Sequence, residues 1–155
     1  MDDKWQVYEK VREIQKELVK VDKTGWYNNE FLTWQWWLLL AILVFPWILF
    51  ILLHKKRRLV PTMLVGTFTA LITVIYDVVG SDYSLWGYPT ELVRAGPGAL
   101  AFDLGIVPVL FMMLYQYFSR WKSYIIALLI MAWAYAYIGE NISVKLELYT
   151  KIKWQ

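Results

Sequence analysis

The chain has 155 residues, 59% of them hydrophobic and 19% charged, with a formal net charge of +3. Ten tryptophans and eleven tyrosines, beside long apolar runs, are more than one soluble core of this length can hide. The lack of cysteine removes disulfides, CxxC redox centres and thiolate metal sites, and the one histidine, His54, sits in a basic turn, which argues against a His-ligated haem or zinc and against a serine-hydrolase triad.

Residues 1–32 read as an amphipathic helix and linker. Val7, Val11, Ile14, Leu18 and Val21 recur at alternating steps of four and three, the seam of a coiled coil. Asp2 and Asp3 at the start, and Lys20 and Lys23 near the end, suit the helix dipole. Glu9 with Arg12, Glu13 with Lys16 and Glu17 with Lys20 form pairs on the wet face, and Gly25 is a plausible stop. Two readings stay open: a helix on the outer membrane surface or packed on its own bundle, or a docking helix for a protein partner or a second copy.

Four apolar stretches follow: Thr33–Leu53, Val60–Val79, Pro97–Phe118 and Trp121–Gly139. A helix of roughly 20 residues crosses about 30 Å of hydrocarbon, so the expected fold is an all-α transmembrane bundle of four helices over residues 33–140. Trp34, Trp36 and Trp37 open the first span as an aromatic belt, and Pro46 should kink it. In the second, Thr62, Gly66, Thr69, Thr73 and Asp77 line one face, with Ala70 completing a small-residue pair with Gly66. The third carries Gly98, Ala101, Gly105, Pro108 and Met112 on one face and Asp103 on another, and Pro108 should free the carbonyl of Leu104. In the fourth, Ala132, Ala136 and Glu140 are spaced by four. Residues 141–155 alternate apolar Val144, Leu146, Leu148, Ile152 and Trp154 with polar neighbours, including Lys153, which suggests a strand or an amphipathic ribbon.

Charge sets the expected orientation. His54, Lys55, Lys56, Arg57 and Arg58 follow the first span, and Arg120 and Lys122 follow the third; Arg94 is the lone cation of the Gly80–Gly96 loop. Basic turns stay in the cytoplasm, so both termini and the Gly80–Gly96 loop are expected outside a plasma membrane, with the first span a signal anchor. Basic residues confined to short turns give no support to nucleic-acid binding.

Asp77 and Asp103 lie inside apolar stretches, where a charge costs a few kcal/mol or more without a partner or a task. Both fall just inside the outer boundary, and Glu140 closes the fourth span on that side. The expected pocket comprises Asp77, Asp103, Glu140, Thr73, Tyr76, Trp86, Tyr88 and Arg94, with Tyr83 and Trp133 nearby. Several uses stay open: helix bridging through Thr73, Tyr76, Arg94 or one another; binding or permeation of a cation or cationic amine, helped by aromatic faces; proton or ion coupling; and aspartyl-type peptidase chemistry. Tyr76-Asp77 and Phe102-Asp103-Leu104-Gly105 match the YD and GxGD pairs of intramembrane aspartyl proteases only in part, since the glycine follows the second aspartate. Lipoprotein signal peptidase shares four spans and two outer aspartates, but its asparagine-rich signatures are missing here and its termini are cytoplasmic. No cofactor or metal is expected.

Leu85-Trp86-Gly87-Tyr88-Pro89 reads as an aromatic-anchored turn or a lid over the pocket. Together with Asp103 and Pro108, and with Tyr115-Gln116-Tyr117-Phe118 leading to Trp121-Lys122-Ser123-Tyr124, it resembles an uncharacterised family of small four-span membrane proteins from spore-forming Gram-positive bacteria. The resemblance runs from about Leu59 to Glu140. It implies a plasma or spore membrane and brings no activity. The leading expectation is a non-enzymatic membrane interaction or sensing component, such as an accessory subunit of an envelope complex, with the lipid bilayer and a second copy or a membrane protein as partners. The cation or amine site is the alternative.

Overall fold

A computed structural model describes residues 3–55, 58–94 and 96–152. Asp2, the Lys56-Arg57 centre of the basic turn, and Lys153 and Trp154 of the tail lie outside the described residues. Five helices follow one another: α1 (Asp3–Asn29), α2 (Trp34–Leu53), α3 (Leu59–Asp82), α4 (Phe102–Tyr117) and α5 (Trp121–Lys145). Two short strands, β1 (Trp86–Gly87) and β2 (Thr150–Lys151), pair antiparallel. By length and composition α2, α3 and α5 are long and apolar enough to cross a membrane, whereas α4 is shorter.

The shortness of α4 departs from the expected run over 97–118, and its cause is local. Gly96 takes φ +138°, Pro97 follows, and Gly98 lies so close under the Tyr88 ring that a Cβ would collide with it. The backbone turns here before it coils. α4 then begins with a π-turn at Phe102–Ile106, in which the Val107 N–H reaches Phe102 O.

Pro108 contributes no N–H, and two neighbouring helices answer for the carbonyls this leaves over. Trp47 on α2 donates its indole N–H to Leu104 O at 2.7 Å, the very carbonyl the sequence marks as freed. Thr73 on α3 places its hydroxyl 3.4 Å from Asp103 O. The proline thus locks α4 to both neighbours instead of weakening it.

The four apolar helices run alternately up and down. At one end, Gln116 near the end of α4 accepts the Lys55 N–H at 2.7 Å and donates to Leu53 O at 3.2 Å. At the other end, the loop after α3 meets the end of α1 and the tail after α5. Core packing is in two pieces: Leu39, Leu92, Ala101 and Leu148 near the loop end, and Phe50, Val109 and Met112 deeper. The small face of α3 packs as its spacing predicts, with Gly66 directly against Met112. α5 buries none of its residues.

α5 also runs on past Gly139, where the sequence suggested a stop. A second π-turn at Tyr135–Gly139 carries the helix through the glycine, and Asn141 donates its amide to Tyr137 O at 2.7 Å. The polar residues after Gly139 end the apolar run without ending the helix. Among the described residues of the alternating tail, Thr150–Lys151 alone is strand, paired as Trp86 with Lys151 and Gly87 with Thr150.

Candidate functional site

Asp77 is the hub of the loop end. Only 5% of it is exposed. Its Oδ1 accepts the Trp86 indole N–H at 3.1 Å and the Tyr88 hydroxyl in a short hydrogen bond, and its Oδ2 accepts the Ala99 N–H at 3.3 Å. Ala99 O in turn accepts the N–H groups of Phe102 and Asp103, so Asp77 caps the first turn of α4 from a different helix. A carboxylate at a helix N-terminus satisfies an orphan donor and meets the positive end of the dipole. One side chain therefore joins α3, the aromatic loop and α4.

The aromatic loop is held from the other side by the tail. Tyr88 packs against Tyr149 with ring centroids 5.8 Å apart, and the Tyr149 hydroxyl hydrogen-bonds Glu140. Glu140 pairs with Lys151 at 3.1 Å. Ile152 donates to Leu85 O at 3.1 Å, extending the ribbon by one bond. Burial first, then the bond to Asp77 and the charges of Asp77 and Asp103, push the Tyr88 hydroxyl far above the phenol range, so it remains a donor. Burial and then Glu140 raise Tyr149 to about 12.

Asp103 lies beside this hub, 6% exposed, and its Oδ2 has no hydrogen-bond partner. The remaining predicted pocket residues divide. Thr73 lies against the Asp103 backbone, whereas Tyr76 and Trp133 are exposed on the outside of their helices. Arg94 goes to neither aspartate: it donates to Val19 O at 2.9 Å and to Asp22 Oδ2 at 3.3 Å, both on α1. The reason is reach, since the loop turns Arg94 toward α1 and away from the bundle interior. A cavity of about 320 Å³ opens beside Asp77, lined by Ser81, Trp86, Tyr88, Glu91 and the Gly96–Gly98 turn.

Sequence reasoning missed the straps that bind this loop to α1 and α2. Trp26 donates its indole N–H to Glu91 O and Trp36 to Leu92 O, each at 2.9 Å, while Glu30 accepts the Glu91 N–H at 2.8 Å. Thr90 adds a bond to Glu147 O at 3.2 Å. The only signal was the density of tryptophan around residues 26–37, which a membrane belt explains equally well.

Burial, then the charges of Asp22, Glu30 and Asp77, raise the Glu91 carboxyl to about 7, with Arg94 partly offsetting them. Glu30 is raised as well, chiefly by burial. Because the Glu91 value lies above its unfolded 4.5, the stability it contributes is full below that pH and is lost as pH rises through about 7. Exchange of the Glu91 amide should accordingly be slower at about pH 5 than at about pH 8, once corrected for intrinsic rates, and Glu91→Gln should flatten most of the difference. Equal protection at both pH values in the parent chain would refute this.

Among the described residues, no cluster of three or more His, Cys, Asp or Glu is placed to hold a metal. In comparisons with known proteins the chain matches no family model, no curated sequence and no solved structure.

Proposed function

We propose that this chain is an integral membrane protein of four spanning helices, with both termini and the Gly80–Gly96 loop outside the cell, acting as a non-enzymatic interaction component of an envelope assembly. Several features support the reading. The loop end gathers the end of α1, the Gly80–Gly96 loop and the tail, while at the opposite end Arg58 lines one groove with Ser119 and Trp121, the chain neighbours of Arg120. That arrangement suits an even number of crossings with positive residues inside. A plasma or spore membrane of a Gram-positive host, suggested by the resemblance of the Leu59–Glu140 region, belongs to the same proposal.

The observation that carries the interaction role is the state of α1. Its seam residues Val7, Val11, Ile14, Leu18 and Val21 are 46–68% exposed, and α1 buries nothing. This exposure favours a docking helix over one whose seam packs on its own bundle. Yet α1 is not loose: Trp26, Glu30 and Asp22 fix its C-terminal part to the loop. A helix held at one end, with an uncovered apolar seam, is built to present that seam.

The three donors fixed on Asp77 weigh against the other uses. A carboxylate offers about four lone-pair positions, and three fixed donors already occupy Asp77. An aspartyl dyad needs two carboxylates free to share a proton and hold water, and a cation site needs oxygen atoms turned to the ligand. Val11→Asp and Leu18→Asp, on the exposed seam, should abolish co-purification with the partner while thermal unfolding of the bundle stays unchanged. A chain that keeps all its associations in both variants, or whose α1 wet face, carrying Glu13→Cys, is unreachable by a membrane-impermeant thiol label from outside the cell, overturns the proposal.

A further inference from the structure

We infer that the partner of the α1 seam is the α1 seam of a second copy, paired antiparallel. The inference rests on the interaction reading above and names its occupant. It starts from the heptad register: Val11 and Leu18 fall at a, and Val7, Ile14 and Val21 at d. The flanking g positions then hold Lys10 and Glu17, and the e positions hold Tyr8, Gln15 and Asp22.

Charge chooses the direction. In a parallel pair each g residue meets the e residue five positions later on the other helix, so Glu17 would face Asp22 twice, like against like. In an antiparallel pair g meets g and e meets e. With Val11 layered on Ile14 and Val7 on Leu18 of the second copy, Lys10 meets Glu17 on both sides of the dyad, and Tyr8 meets Gln15. Opposite charges replace a repulsion. The symmetry is that of a closed, self-complementary dimer.

The intramolecular contacts agree with that geometry. At 100° per residue, Val19, Asp22 and Trp26 share one flank of α1, and these are the residues whose atoms bind Arg94 and Glu91. This flank includes the e side, so Asp22 is already paired with Arg94. Lys10 and Glu17 lie on the opposite flank, away from the bundle and exposed to a second helix. In the antiparallel pair the two e sides face the same way, so both bundles hang from the same side of the helix pair. That is what two copies in one membrane require. Their attachment points near residue 24 would stand about 35 Å apart at 1.5 Å per residue, far enough for the bundles not to collide.

Lipid fits the seam less well. The apolar stripe has the narrow a/d width of a helix interface, and acidic and basic residues are equal in number over residues 1–23, which leaves no electrostatic pull toward anionic headgroups.

The natural absence of cysteine gives a clean background for the test. Full-length chains carrying Val7→Cys or Leu18→Cys, differently tagged, are expressed singly and together in native membranes and oxidised. Antiparallel pairing predicts a disulfide between the two different variants when mixed and little or none within either variant alone. Lys10→Glu in both should cut that cross-link by more than half, and adding Glu17→Lys to the same chain should restore it. Cross-linking of Val7→Cys to itself overturns the inference in favour of a parallel pair. No cross-link in any combination also overturns it; if Val11→Asp still releases another protein in that case, the interaction reading stands and only the second copy is lost.

Discussion

Asp77→Ala is expected to lower stability by about 3–5 kcal/mol, the largest loss of any single polar substitution in this chain. The change strips the acceptor from the Trp86 indole, the Tyr88 hydroxyl and the Ala99 amide at once. A buried donor left without a partner costs about 1–3 kcal/mol, and three are stranded within one small volume. Some of that is recovered if water enters the cavity beside Asp77, which keeps the total below the simple sum. Asp77→Asn should cost less, about 2 kcal/mol, because one carbonyl oxygen survives while the new amide group points donors at donors. Tyr88→Phe removes a single donor and should cost about 1 kcal/mol. The unfolding midpoint in detergent, followed by tryptophan fluorescence, reads all three. A graded order with alanine worst is the expected result. If Asp77→Ala melts with the parent chain, the hub described here does not hold the loop end together.

The effect should also spread in a defined direction. Without Asp77 the α4 N-terminus loses its cap and the aromatic loop loses its anchor, so β1 and its pairing with β2 should loosen together. The deeper cluster of Phe50, Val109 and Met112 touches none of these groups and should persist.

What could be read in the sequence was what a single element dictates. The apolar runs of α2, α3 and α5, the small face of α3, and the carbonyl at Leu104 all follow from spacing along one helix, and the structure carries each of them. The site was half legible. Asp77 and Asp103 drew attention as ionisable groups in apolar stretches, and Trp86 and Tyr88 as an unusual loop. The destination of Arg94 and the straps from Trp26, Trp36 and Glu30 were hidden, because each joins residues more than fifty positions apart. No periodicity records such a meeting. α5 was cut short at Gly139 because hydropathy marks where a helix leaves an apolar layer, not where it uncoils. The tail's alternation suggests a strand or ribbon but does not say what it pairs with.

The glycines give the second large expectation, since their surroundings differ in kind. At Gly105 a Cβ would stand 2.6 Å from Ile42 O and 2.8 Å from the Leu43 Cα, both backbone atoms of α2. Ile42 is the residue whose carbonyl Pro46 leaves without its helical donor, so the glycine packs on α2 where that helix is already opened. Backbone cannot rotate away as a side chain can, and Gly105→Ala must push α2 and α4 apart along their closest approach, at about 3 kcal/mol. Trp47 sits one residue beyond Pro46, so its bond to Leu104 O should break in the same movement. At Gly66 the obstacle is the flexible side chain of Met112, which can swing aside, so Gly66→Ala should cost about 1 kcal/mol. At Gly25 nothing lies within 4 Å, and Gly25→Ala in a helix should be neutral or gain about 0.5–1 kcal/mol. Unfolding midpoints of the three alanine variants in one detergent provide the comparison. The order Gly105, Gly66, Gly25 from worst to best is expected. A Gly105→Ala chain as stable as Gly25→Ala would mean that α2 and α4 do not approach as closely as their glycine and proline pattern requires.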